Sequence, residues 1–281
     1  MVRNALSVDV EDWFQVGAFE TVIDRANWDS LECRVECNTD AVLALFDDAG
    51  VKGTFFTLGW VAERYPQLIR RISEAGHEVA SHGWDHQRVF AMTPAAFAAD
   101  IARTRAVLEG LSGHPVTGYR APSFSIDART PWAHEALAEA GYAYSSSVAP
   151  VVHDHYGWPE APRFAFKPVA GSDLVELPVT TARFAGRTLA AGGGGFFRIL
   201  PYGFSRWALR QVNEEKQPAI LYFHPWEIDP DQPRVANAPL KSKVRHYTNL
   251  GVMAAKLKRL VTDFEWGRVD RVAAQAAAEL A

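Results

Sequence analysis

Two histidines four residues apart, His82 and His86, close the run Gly76-His77-Glu78-Val79-Ala80-Ser81-His82-Gly83-Trp84-Asp85-His86. Imidazole is the commonest protein ligand for zinc and its neighbours, and on one helical turn this spacing puts both rings on one face. A metal needs at least a third donor. Near the start of the chain, Leu6-Ser7-Val8-Asp9-Val10-Glu11-Asp12-Trp13 reads as an apolar strand ending in carboxylates. Extended residues two apart point to one side, so Asp9 and Glu11 face the same pocket, whereas Asp12 points away unless the strand has already ended. One Glu, two His and an open position make the mixed N/O set of a catalytic zinc site. With Glu11 as ligand, Asp9 is left to take a proton from the attacking water.

Two further residues extend this set. Arg120, in Arg120-Ala121-Pro122-Ser123, can pair with Asp9 and fix its position. His224 ends the apolar run Ile220-Leu221-Tyr222-Phe223-His224 and suits a general acid that protonates a leaving amine, because its ordinary pKa lies near neutrality. Aromatic residues beside these positions, Trp13, Trp84, Phe124 and Trp226, could form an apolar platform for a sugar ring. Trp13 and Trp84 are the first choices because each adjoins a candidate residue.

These side chains must be brought together by elements that the pattern defines. Strands are expected at Ala5–Val10, Gly53–Leu58, Glu78–Ser81, Val116–Arg120, Tyr142–Tyr144, Leu174–Val179 and Pro218–Phe223. Helices are expected at Asn38–Ala49, Val61–Ala75, Pro94–Leu111, Pro131–Ala140, Phe204–Asn213 and Leu250–Phe264. Asn38-Thr39-Asp40 can cap the first helix, Thr93-Pro94 opens another, and Gly50 and Gly76 mark helix ends. Repeated βα units imply parallel strands with helices outside, and Asp9, His82 and Arg120 then fall at the carboxyl ends of strands, where a parallel barrel builds its chemistry. The reading is one α/β domain over 1–281, with an irregular insertion at about 148–200 and a C-terminal helical extension at about 229–281. Within the insertion, Gly192-Gly193-Gly194-Gly195 lacks the Lys-Ser/Thr of a phosphate loop and reads as a flexible bend, or as a lid or substrate-approach loop. The alanine-rich end after Arg271 reads as a weak helix or frayed tail.

Composition narrows the partners. The chain has 281 residues, 48% of them hydrophobic, and a formal net charge of −4. A chain this long can bury one large core. Nothing in its charge calls for nucleic acid or an anionic membrane surface. No stretch approaches the length of a membrane span and no signal-like start is present, so a cytoplasmic location is expected. The two cysteines, Cys33 and Cys37, lack partners for a metal site and read as ordinary thiols near a helix start.

In this order, the motifs resemble the NodB-type polysaccharide deacetylases of carbohydrate esterase family four, over about Leu6 to Trp226. Ser7-Val8-Asp9-Val10-Glu11-Asp12-Trp13-Phe14, Arg120-Ala121-Pro122-Ser123-Phe124-Ser125-Ile126-Asp127, Gly195-Phe196-Phe197-Arg198-Ile199-Leu200-Pro201-Tyr202 and His246-Tyr247-Thr248-Asn249-Leu250 resemble one branch, the deacetylases found with exosortase-linked exopolysaccharide gene sets. The resemblance implies a deformed (β/α) barrel of about seven parallel strands and hydrolysis of N-acetyl groups on the amino sugars of a polysaccharide or its lipid-linked precursor. It also implies one divalent metal ion, zinc first, on His82 and His86, with Asp9 as base oriented by Arg120. The backbone N–H of Ser123 would help to hold the oxyanion, and His224 would be the acid. The chain departs from the family pattern twice. Val10 stands where the family places its metal carboxylate, so the ligand shifts to Glu11, with Asp12 second. Ser145 stands where an Asp would support the catalytic histidine. Two other readings are a metal-independent amidohydrolase on the same scaffold and a catalytically impaired carbohydrate-binding protein.

Overall fold

The computed structural model describes residues 2–153 and 156–281. Seven short parallel strands follow the sheet order β9-β1-β2-β3-β4-β5-β6: β1 (Asn4–Val10), β2 (Thr54–Thr57), β3 (Glu78–Ser81), β4 (Gly118–Tyr119), β5 (Tyr144–Ser145), β6 (Val175–Glu176) and β9 (Ile220–Phe223). They form a curled half-barrel with helices packed outside, the deformed (β/α) barrel expected from the sequence. Thr180 and Gly192 cross the gap between β6 and β9 through hydrogen bonds to Ile220 and Tyr222. A two-stranded antiparallel hairpin, β7 (Thr181–Phe184) and β8 (Arg187–Ala190), stands apart from the sheet.

The helices are α1 (Val35–Asp48), α2 (Gly59–Arg64), α3 (Pro66–Glu74), α4 (Pro94–Ser112), α5 (Trp132–Glu139), α6 (Gly194–Ile199), α7 (Tyr202–Glu214), α8 (Leu240–Tyr247), α9 (Leu250–Asp263) and α10 (Val269–Glu279). None is long and apolar enough to cross a membrane, among the described residues. Alternation along β1 separates two packed layers. Leu6, Val8 and Val10 join the outer core, which includes Phe46, Leu68 and Phe97 from the helices. Ala5 joins Phe56, Ala80 and Tyr144 in the inner cluster. Ser7 and Asp9 share the parity of Ala5, so the strand aims them toward the barrel interior.

Several elements differ from their sequence-based expectations for identifiable reasons. The helix expected over Val61–Ala75 is two helices, since Pro66 opens α3 and keeps Tyr65 out of the helical region (φ −123°, ψ 59°). The first helix begins at Val35, before Asn38-Thr39-Asp40, which lie inside it. Its cap comes from far away, because one oxygen of Asp12 accepts the backbone N–H of Arg34 at 2.7 Å and of Val35 at 2.9 Å. The end of the chain is not frayed. Val269, Val272, Ala273 and Ala276, at i, i+3, i+4 and i+7, make α10 amphipathic and seat it in the inner cluster. The last segment also supplies β10 (Trp266–Gly267), which pairs with Asn4 and Ala5. The stretch at 148–200 likewise contributes β6 to the sheet. Gly192 to Gly194 form a close-packed entry to α6, while Gly195 has open space beside its Cα. A Cβ on Gly192 would lie 2.5 Å from the Ile220 carbonyl oxygen, and one on Gly194 would lie 2.1 Å from a carboxylate oxygen of Glu227.

Candidate active site and metal centre

The carboxyl ends of β1, β3 and β9 deliver Asp9, His82 and His224 to one cavity of about 300 Å³, which Glu11, His86, Ser123, Phe124 and Trp226 also line. Ligand atoms of Glu11, His82 and His86 lie within 4.8 Å of one another, and all three residues are buried. The helical turn expected for His82 and His86 is absent. His82 follows β3, Gly83 takes φ 73°, and His86 itself sits in the left-handed region at φ 59°, so a tight loop rather than a helix turns the second ring toward the first. A non-glycine residue there costs about 1–2 kcal/mol, a strain typical of functional sites.

The donor chemistry fits a divalent cation. His82 Nδ1 lies 2.8 Å from the Arg120 carbonyl oxygen, which only accepts. The ring therefore carries its proton on Nδ1 and leaves the Nε2 lone pair for a metal, the usual arrangement for a ligating histidine. Burial pushes the His82 pKa down to about 4, which keeps the ring neutral. Glu11 Oε2 is 2.9 Å from His86 Nε2, yet this buried oxygen makes no hydrogen bond of acceptable geometry. A carboxylate oxygen and an imidazole nitrogen that converge in this way, beside the free Nε2 of His82, form a donor set that suits a shared divalent cation. Burial alone would raise the Glu11 pKa, but the fields of His86 and His224 outweigh it and hold the carboxyl at about 2.

Asp12, the second choice for the ligand, does not join this cluster. Besides capping α1 it accepts the Trp13 N–H on its other oxygen, at 2.8 Å. Its role is to anchor the loop that follows β1. Asp12→Ala should lower stability by about 1–2 kcal/mol in denaturant unfolding, in line with loss of a helix cap. Metal content should not change.

Arg120 has no exposed surface and is fully engaged. It donates to Asp9 Oδ1 at 2.7 Å and Ser7 Oγ at 2.8 Å, and to the carbonyl and hydroxyl oxygens of Ser146, each at 3.0 Å. Its guanidinium also lies 4.1 Å from the Phe56 ring centroid. Sequence reasoning paired Arg120 with Asp9 but did not find Ser7 and Ser146, which fix the guanidinium plane. Ser123, at φ 55°, and Phe124, at φ 49°, both take left-handed backbone conformations and line the cavity.

His224 has a carboxylate partner, and it is neither Ser145 nor any residue of that motif. Ser145 donates to Ser147 Oγ at 2.8 Å. Glu227 instead accepts from His224 Nδ1 at 2.9 Å and from the His224 backbone N–H at 3.2 Å. The other Glu227 oxygen takes Arg198 Nε at 3.1 Å, and Arg198 donates onward to the carbonyls of Arg245 and Thr248. Glu227 and Arg198 are both fully buried. The signal for Glu227 was present in the sequence: a glutamate three residues after the histidine, inside the turn that Pro225 opens, has the spacing of a capping box. Burial works against protonation of His224, but Glu11 and Glu227 overcome it and push the pKa up to about 9.

The aromatic expectations divide. Phe124 and Trp226 line the cavity, and Trp226 stacks between His224 and His246 at 5.1 and 4.0 Å. Trp13 and Trp84 do not line it. Trp13 is buried in the outer core against Phe14, with its indole N–H on the Glu32 carbonyl. Trp84 lies over Gly59, with the Arg103 guanidinium 3.2 Å from its ring centroid. Adjacency in sequence to a site residue did not carry these two rings into the site, because consecutive side chains point in different directions.

Comparison with known proteins agrees with this geometry. Residues 26–145 match the family described as polysaccharide deacetylase, and residues 146–274 match a domain of unknown function, DUF3473. A peptidoglycan deacetylase of Helicobacter pylori is 29% identical over 113 residues, 40% of this chain and 38% of that protein. A peptidoglycan-N-acetylglucosamine deacetylase of Bacillus cereus is 30% identical over 98 residues, 34% of this chain and 36% of that protein. A chitin deacetylase of Pestalotiopsis is 30% identical over 93 residues, 32% of this chain and 31% of that protein. The chain thus spans less than two fifths of the length of these curated relatives. Among solved structures, a Mycobacterium smegmatis protein named for the same family covers 100% of this chain and 93% of its own, with a TM-score of 0.62 and 20% identity, a likeness of fold.

Proposed function

We propose, from the match of residues 26–145 to the polysaccharide deacetylase family, that this chain hydrolyses the N-acetyl group of an amino sugar in a polysaccharide or its lipid-linked precursor. We assign this activity to exopolysaccharide biosynthesis on the motif resemblance. The observation that carries the proposal is convergence. An arginine-held aspartate, a Glu-His-His cluster and a carboxylate-supported histidine meet in one cavity.

Glu11, His82 and His86 would hold one divalent cation, zinc first, which when bound supplies Lewis acidity to the acetamide carbonyl and to water. Arg120 takes one oxygen of Asp9 and fixes the carboxylate, whose other oxygen accepts the proton of the attacking water as the C–O bond forms. The Ser123 backbone N–H donates to the developing oxyanion, a contribution of about 3 kcal/mol for one donor. His224 then passes its Nε2 proton to the amine nitrogen as the C–N bond breaks, leaving acetate and a free amino sugar. Glu227 holds Nδ1–H, which fixes the ring and stabilises its cationic form.

Acetate release and a free amine on N-acetylated oligosaccharides, with metal supplied, test the proposal. Saccharide binding without acetate release would make the chain a binding protein instead. The role of Glu227 has its own test. His224 is a competent acid while protonated, so kcat should fall as pH rises through its folded pKa. In Glu227→Gln the supporting anion is gone and that alkaline limb should move to lower pH. We expect kcat to drop about ten- to hundredfold with little change in KM, a loss at the lower end of general-acid contributions.

A further inference from the structure

Behind Arg120 lies a buried acid–base pair that the mechanism does not use. His134 of α5 and Glu176 of β6 are 4% and 0% exposed, and His134 Nε2 lies 3.0 Å from Glu176 Oε2. The other carboxylate oxygen, Oε1, accepts the backbone N–H of Ser147 at 2.8 Å and of Val148 at 2.9 Å. Burial alone would raise the Glu176 pKa, but contacts led by His134 outweigh it and hold the carboxyl below the usual carboxylate range. The pairing of β5 with β6 ends at Ser145 and Glu176. Just beyond it, the N–H groups of Ser147 and Val148 find this carboxylate instead of a neighbouring strand, so one side chain fixes the turn that carries them.

That turn holds Arg120. Ser146 Oγ donates to the Leu177 carbonyl at 2.8 Å, which leaves its lone pairs to accept Arg120 Nη2 at 3.0 Å. The Ser146 carbonyl accepts Arg120 Nε, also at 3.0 Å. Ser147 Oγ accepts the Ala121 N–H at 2.9 Å and so fixes the backbone that follows Arg120. Arg120 in turn touches both parts of the site. Its guanidinium donates to Asp9 at 2.7 Å, and its carbonyl accepts His82 Nδ1–H at 2.8 Å. Buried hydrogen bonds thus run from one carboxylate to the base and to a candidate ligand histidine.

We infer that Glu176, steadied by His134, is a positioning residue for the base: it fixes the turn at Ser146 and Ser147, and through that turn the Arg120 guanidinium that holds Asp9. The effect on turnover rests on the deacetylase reading, whereas the effect on Arg120 does not. Glu176 lies beyond residues 26–145, which carry the family match. The second half of the chain then supplies a positioning carboxylate to each side of the reaction, Glu176 behind Asp9 and Glu227 behind His224.

Two conservative variants separate reach from charge. Glu176→Gln keeps an oxygen at the same reach for the Ser147 and Val148 N–H groups, and its amide donates to His134 once the ring proton moves to Nδ1. Glu176→Asp keeps the charge but is one methylene short. Acetate release from an N-acetylated oligosaccharide by metal-supplied protein gives kcat and KM. Solvent exchange of the Arg120 Nε–H, followed by heteronuclear NMR, shows how firmly the guanidinium is held, with no reference to turnover. Glu176→Asp should lower kcat about tenfold at unchanged KM and speed the exchange about tenfold, while Glu176→Gln stays within about threefold of wild type in both. His134→Asn, which frees the carboxylate at its other oxygen, should speed the exchange about threefold and takes the place of Glu176→Asp if that variant does not fold. Wild-type exchange in the folded variant overturns the inference, as does equally fast exchange in Glu176→Gln and Glu176→Asp. Faster exchange with unchanged kcat overturns it as well. If the wild type releases no acetate, the deacetylase reading fails, and the exchange rates alone decide whether Glu176 positions Arg120.

Discussion

Glu11→Gln should fold, fail to hold a divalent metal and release acetate about a thousandfold more slowly than the wild type. Glutamine keeps the volume of a side chain buried against Trp226 and His224, so the cavity wall survives. It removes the only carboxylate in the Glu11–His82–His86 cluster. A neutral amide oxygen is a poor ligand for a cation held otherwise by two imidazoles. Lewis-acid stabilisation is worth several kcal/mol, and about 4 kcal/mol corresponds to three decades of rate. Elemental analysis of the purified variant checks the metal, and kcat/KM checks the activity. Asp12→Asn is the informative control. Asp12 spends its oxygens on the backbone N–H groups of Trp13, Arg34 and Val35, so that variant should keep its metal while losing stability. A metal-free Asp12→Asn beside a metal-replete Glu11→Gln would reverse the assignment.

Asp9→Asn should bind metal like the wild type and lose about 10²- to 10⁴-fold in kcat, the range for removing a positioned general base. Asparagine still offers Oδ1 to the Arg120 guanidinium, which is otherwise sealed inside the barrel. The substitution therefore tests chemistry more than folding. Asp9→Ala is different in kind. It strands a buried cation beside Ser7 and Ser146, and stability should fall by about 3–5 kcal/mol as well. Undiminished turnover in Asp9→Asn would remove Asp9 as the base.

Periodicity in the sequence made part of this site readable. Because side chains alternate along β1, the parity of Asp9 and Glu11 could be set against Leu6, Val8 and Val10, and the structure keeps that division into inner and outer faces. The His82–His86 spacing picked out two rings that the structure does bring together, though not on a helical turn. Helical geometry was expected, but Gly83 and His86 both adopt positive φ, and the rings meet across a loop. Spacing alone cannot distinguish these, since both bring residues i and i+4 close. Partners distant in sequence were out of reach. Asp12 caps a helix more than twenty residues ahead, and Arg198 meets Glu227 only because α6 enters on glycines packed against that carboxylate. Glu227 itself was within reach, three residues from His224. Ser145, at the position where the family places an aspartate, bonds Ser147 instead and leaves the histidine's support to Glu227. Trp13 and Trp84 show the opposite error, in which nearness along the chain stood in for nearness in space.

One cation on Glu11, His82 and His86 should be required for N-deacetylation in this cavity. Acetate release from an N-acetylated oligosaccharide, by protein stripped with chelator and then titrated with a divalent metal, zinc first, tests that requirement. Turnover should be lost in the stripped protein and recover to a plateau at one equivalent per chain. Full turnover by protein shown to be metal-free would contradict it.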